Sequence, residues 1–120
     1  MQTILIVDDT ETVLMFEKMM LAGQGFKVVT AKNGLEALEK IAGVQPDLVL
    51  LDIMMPELDG IETCKRLKSN PQTMNIPVVM VTTKGEADKV EQAFLAGCND
   101  YLTKPVDKLE LLAKVRAHIG

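Results

Sequence analysis

Leu48-Val49-Leu50-Leu51, set between Asp47 and Asp52, is apolar at four successive positions. An extended segment with no polar alternation suits water on neither face. A run of this kind over Asp47–Leu51 fits an internal strand of a parallel sheet, covered by helices on both sides. The neighbouring segments agree. Upstream, Asn33–Ile41 repeats Leu35, Leu38 and Ile41 at helical spacing and is closed by Gly43. Phe26–Thr30 reads as a strand. Thr10–Ala22 carries Val13, Phe16, Met20 and Leu21 on a helical stripe ended by Gly23 and Gly25. Thr3–Val7 is a short β-branched strand. Downstream, a loop with Pro56 and Gly60 leads to a helix over Ile61–Lys68, with Ile61, Cys64 and Leu67 inward and Asn70-Pro71 as its stop. Val78–Val81 is the fourth strand. Glu86–Ala96 is a helix with Val90, Ala93 and Phe94 inward, capped by Gly97. Asp100–Thr103 is the fifth strand. Asp107–His118 is the last helix, with Leu109, Leu112, Val115 and Ile119 turned to the core.

Five strands alternating with five helices through short connections predict one α/β domain over residues 1–120, doubly wound around a parallel sheet. Its 120 residues are enough to bury about two-thirds of the unfolded surface. Eight Met against three Phe, one Tyr and no Trp make the core aliphatic and thioether-filled. A net charge of −4 and a pI of about 5.0 argue against direct nucleic-acid binding. Cys64 and Cys98 are not in metal or redox spacing and read as reduced, half-buried thiols. No basic leader or run of ~18 apolar residues is present, so the expectation is a cytoplasmic protein without membrane insertion.

In such sheets ligands bind beyond the carboxyl ends of the strands. Asp8 and Asp9 follow the first strand, Asp52 the third, Thr82 the fourth and Lys104 the fifth. Asp8-Asp9 alone reads more readily as a helix cap than as a metal site. Asp52 is harder to dismiss, because no helix follows it at once. Three carboxylates at one edge repel, and that cost calls for a divalent metal and an ammonium. Mg²⁺ needs only one or two carboxylates when a phosphate oxygen completes its shell. A carboxylate there can act as a nucleophile toward phosphorus. The metal, Lys104 and Thr82 then match the three equatorial phosphoryl oxygens. The plainer alternative is an Asp52–Lys104 salt bridge that only ties two loops together.

Ile6-Val7-Asp8-Asp9, Leu51-Asp52-Ile53-Met54-Met55-Pro56 with Asp59-Gly60, Val81-Thr82, Ala96-Gly97 and Lys104-Pro105, in this order, resemble the receiver domain of two-component response regulators, of the single-domain chemotaxis type. The resemblance covers essentially the whole chain. It implies a flavodoxin-like fold with strand order 2-1-3-4-5. It implies that Asp52 is the phosphoacceptor, supplied by a histidine kinase or a histidine phosphotransfer protein. Mg²⁺, or Mn²⁺ in its place, would be held by Asp9, Asp52 and the backbone carbonyl of Met54, with Asp8 acting mostly through water. Lys104 would contact the phosphoryl group, and Pro105 would follow a cis peptide. Thr82 and Tyr101 would be the switch residues, altering a partner-binding face made of the fourth helix, fifth strand and fifth helix. The resemblance also implies that Met54 and Lys84 stand at variable positions that would tune phosphoryl lifetime, and an apolar Met54 predicts slow self-dephosphorylation.

The protein is then a phosphoaspartate switch and not a turnover enzyme. The alternatives are an interaction-only receiver, which should have lost one of these residues, or a receiver module belonging to a larger regulator. An aspartate-nucleophile phosphatase would need an acid at position 54, and an electron carrier would need a phosphate loop after the first strand. His118, the only histidine, lacks neighbouring ligand types and reads as a favourable cation near a helix C-terminus.

Overall fold

The computed structural model describes residues 1–83 and 87–119. The strands are β1 (Gln2–Val7), β2 (Phe26–Ala31), β3 (Leu48–Asp52), β4 (Val78–Thr83) and β5 (Asp100–Lys104). The helices are α1 (Glu11–Leu21), α2 (Gly34–Val44), α3 (Gly60–Ser69), α4 (Ala87–Leu95) and α5 (Lys108–Ile119). All strands are parallel, in the order β2-β1-β3-β4-β5. This is the expected doubly wound α/β architecture. Lys84 and Glu86, singled out from the sequence, lie outside the described residues.

The sheet is buried on both faces, and the side-chain period of two divides its residues between two cores. Leu5, Val7, Val49, Leu51, Val78 and Met80 face Ala37 and Ile41 of α2, Ile61, Cys64 and Leu67 of α3, and Ala93 of α4. Ile4, Ile6, Leu48, Leu50, Val79 and Val81 face Leu14 and Leu21 of α1 and Leu111, Leu112 and Val115 of α5. All five residues of β3 are buried, as its unbroken apolar run requires.

Helix faces depart from the sequence expectation in four places. In α1 the buried residues are Leu14, Glu17 and Leu21, while Phe16 is 57% exposed. Seven of the eleven residues of α1 are apolar, so two stripes competed and the sheet took the one led by the leucines. Leu35 of α2 is exposed, its inward place taken by Ala37, and Phe94 of α4 is exposed while Ala93 faces inward as expected. Small residues fit where a helix lies close to the sheet. Leu109 is exposed at the start of α5 and Leu111 is buried instead. α2 also runs past Gly43 to Val44, and Gln45 ends it in the left-handed conformation with φ 51°. Cys64 and Cys98 are buried free thiols rather than half-buried ones.

At the amino-terminal edge of the sheet, Lys68 of α3 reaches the segments that lead into β4 and β5. Its Nζ donates to Met74 O at 3.2 Å, Ile76 O at 2.8 Å and Asn99 Oδ1 at 3.0 Å. Asn99 Oδ1 also accepts from Val78 N at 2.8 Å, so one amide oxygen joins the starts of both strands.

Candidate functional site

Sheet register brings the acids together. Val7 is paired with Leu51, so the residues that follow, Asp8 and Asp52, leave adjacent strand ends side by side. Asp8 is 1% exposed and Asp52 5% exposed, while Asp9 stands in solvent. One carboxylate oxygen from each of Asp8, Asp9 and Asp52 lies within 4.8 Å of the others. Asp8 does not cap the first turn of α1. Its Oδ1 accepts from Thr10 N at 2.9 Å, which fixes the side chain just before the helix begins.

Lys104 arrives from β5. Its Nζ lies 2.9 Å from Asp8 Oδ2 and 3.3 Å from Asp52 Oδ2. The tie that the plainer reading expected is therefore present, but it joins two acids rather than one. Burial, and next the charge of Asp8, push the Asp52 carboxyl up to about 6, with Lys104 opposing the rise. Lys104 is itself raised: hydrogen bonding and charge from Asp8 and Asp52 outweigh the lowering effect of its burial. Three carboxylates face one ammonium, and all the available donors are hard oxygens. That donor set fits Mg²⁺ or Mn²⁺ and does not suit a thiophilic metal.

Thr82 is buried at the end of β4, its backbone paired with Thr103 of β5. Met54 lies two residues past Asp52 in the β3–α3 loop, with its side chain exposed. The Lys104–Pro105 peptide is cis. The loop returns to the site at Gly60, where α3 starts. Gly60 N donates to Ile53 O at 2.8 Å, and a Cβ on Gly60 would overlap the carbonyl oxygen of Asp52. Only glycine lets the helix terminus approach the acid this closely. Asp59, the N-cap, accepts from Glu62 N at 2.8 Å and starts the helix.

Tyr101 lies on β5 three residues before Lys104 and is 38% exposed. Its ring meets Phe94 of α4 edge to face at 6.0 Å, with the Lys114 ammonium 5.3 Å from its centre. Asp100 gathers Lys114 at 2.7 Å and His118 at 3.2 Å. Partial burial would raise the Asp100 carboxyl, but hydrogen bonds from Lys114, Tyr101 N–H and His118 hold it below the usual carboxylate range. His118 therefore has a partner that its sequence neighbours do not reveal.

One acid near the site was not singled out from the sequence. Glu17 of α1 is 2% exposed, and its Oε2 has no hydrogen-bond partner among the described residues. Burial first, then the charge of Asp8, push its carboxyl up to about 8. The signal was its place between Leu14 and Leu21, three and four residues away on one helical face.

Comparison with known proteins agrees with this architecture. Residues 4–116 match the family described as the response regulator receiver domain. Protein PilG of Pseudomonas aeruginosa is 37% identical over 116 residues, covering 97% of this chain and 86% of PilG. RpaA of Synechocystis, a DNA-binding dual master transcriptional regulator, is 40% identical over 98% of this chain. The chain spans only 48% of the length of RpaA. Among solved structures, the chemotaxis protein CheY4 of Vibrio cholerae superposes with a TM-score of 0.92 at 29% identity, over 98% of each chain.

Proposed function

This chain belongs to the response regulator receiver domain family, and on that premise we propose that it is a signalling switch written by phosphorylation of Asp52. Members of the family are signalling modules that interact with histidine kinases and downstream effectors, not turnover enzymes. The observation that carries the reading is the meeting of Asp8, Asp9 and Asp52 within 4.8 Å, with Lys104 Nζ 3.3 Å from Asp52. An oxygen of Asp52 attacks phosphorus in a phosphohistidine of a kinase or phosphotransfer protein. The O–P bond forms and the N–P bond breaks. The imidazole leaves with the electron pair and takes a proton from water. Asp9, Asp52 and the Met54 carbonyl would hold Mg²⁺, with Asp8 behind them, supplying positive charge against the phosphoryl oxygens. Lys104 adds its ammonium on the other side.

Thr82 turns its hydroxyl to the new phosphoryl group, and Tyr101 turns inward behind it. The α4–β5–α5 face then changes affinity for a protein partner in the cytoplasm. An exposed, apolar Met54 beside the acceptor gives the attacking water nothing to orient it, which makes the phosphoryl group long-lived. The test is to incubate the chain with Mg²⁺ and acetyl phosphate, or with a beryllium fluoride mimic, and follow Asp52 by phosphoprotein gel and NMR. Incorporation that disappears in Asp52→Asn and on chelation of the metal is expected. Incorporation that survives Asp52→Asn, or none at all, overturns the reading.

A further inference from the structure

A cavity of about 500 Å³ opens between α1 and the start of the loop after β5. Val13, Phe16, Met20, Pro105 and Val106 give it apolar walls, and Glu17 and Lys104 are its charged members. This is the usual size and composition of a small-molecule site, mostly apolar with a few placed polar groups. Lys104 is already committed, at 2.9 Å to Asp8 and 3.3 Å to Asp52. Glu17 is not: it is almost wholly buried, and its Oε2 lacks any hydrogen-bond partner among the described residues. A buried polar atom left unpaired costs free energy that an occupant with the right donor would recover.

We infer that this cavity is a second ligand site, taking a small cation with an apolar body, of the amidine or amine class, whose N–H groups meet the Glu17 carboxyl. An anion would meet Glu17 with the acids of the neighbouring site close behind it. A neutral hydrocarbon would fill the walls and leave Oε2 as it is. An amidinium has two parallel N–H groups that match one carboxylate, so full pairing displaces the proton that burial keeps on Glu17 below about pH 8, and a flat apolar ring suits the walls. The site is distinct from the acid cluster of Asp8, Asp9 and Asp52, although Lys104 belongs to both.

The probe is benzamidine, titrated into the ¹⁵N-labelled full chain with Mg²⁺ saturating. Amide shifts confined to Val13–Met20 and Val106, reaching saturation, are expected. Benzyl alcohol, of similar shape but uncharged, should bind at least about tenfold more weakly, and so should benzamidine to Glu17→Gln, since each loses a charge-assisted pair. Shifts centred on Asp9 and Asp52, shifts that never saturate, or equal binding of the two compounds would overturn the inference. The comparison of the two compounds on the unmodified chain decides the matter even if Glu17→Gln folds poorly. Asp52 chemistry plays no part in this readout, so it stands or falls apart from the phosphorylation switch.

Discussion

Glu17 should make the fold lose stability as pH rises, and the size of the loss follows from its burial. Its carboxyl is carried from an ordinary 4.5 to about 8. Between those values the unfolded chain has released the proton and the folded chain still holds it. Stability is therefore full below the lower value and falls as pH climbs toward the upper one, by about 1.4 kcal/mol per pH unit. At pH 7 the accumulated cost is about 3 kcal/mol, and well above pH 8 it approaches about 5 kcal/mol. Other groups titrate over the same range, Asp52 among them, so the informative quantity is a difference between proteins. Urea unfolding of the wild type and of Glu17→Gln, followed by circular dichroism at constant Mg²⁺, isolates it. The advantage of the variant should grow by about 3 kcal/mol between about pH 5 and pH 8, moving the relative urea midpoint by more than about 1 M. Glu17→Leu should show the same trend and also remove the unpaired oxygen. A pH-independent difference, or one that shrinks with rising pH, would refute the reasoning by showing that Glu17 is ionised and solvated in the folded state.

Three further outcomes are expected. Gly60→Ala forces a methyl group against the carbonyl of Asp52 and should cost about 1–3 kcal/mol in unfolding experiments, with weaker Mg²⁺ binding by titration because the acid must shift. Met54→Asn should shorten the lifetime of phosphorylated protein, measured by decay of label after donor removal, and an unchanged rate would defeat the role given to Met54. Burial pushes the Cys64 thiol up to about 11 and the Cys98 thiol up to about 12, so neither should react with iodoacetamide at pH 8 until urea unfolds the chain.

The strands and the acid-lined edge were legible in the sequence because both rest on one-dimensional signals. An unbroken apolar run such as Leu48–Leu51 can only be buried on both faces, and the residue that ends it has to emerge at the sheet edge. Which strands are neighbours is not written in those runs: the order that sets β1 against β3 came from the family resemblance, and it is this pairing that places Asp8 beside Asp52. Helix rotation was less legible. On α1, both the expected stripe through Val13, Phe16, Met20 and Leu21 and the stripe through Leu14 and Leu21 satisfy the helical period, and only Leu21 is common to both. The choice between them belongs to the sheet surface, which no local pattern describes. Phe94 illustrates the same limit: its partner, Tyr101, comes from another element. Glu17 escaped notice because a charged residue is read as solvent-facing unless its neighbours on the helix are weighed first.

Lys68 gives the molecule a mechanical asymmetry. Its three acceptors, one of them the shared amide oxygen of Asn99, pin β4 and β5 where they begin. The opposite ends of the same strands carry Thr82 and Lys104, roughly 15 Å away at about 3.3 Å per residue. A strand fastened at one end and pulled at the other behaves as a cantilever. Displacement is largest at the tip and vanishes at the root, with Tyr101 of β5 lying between.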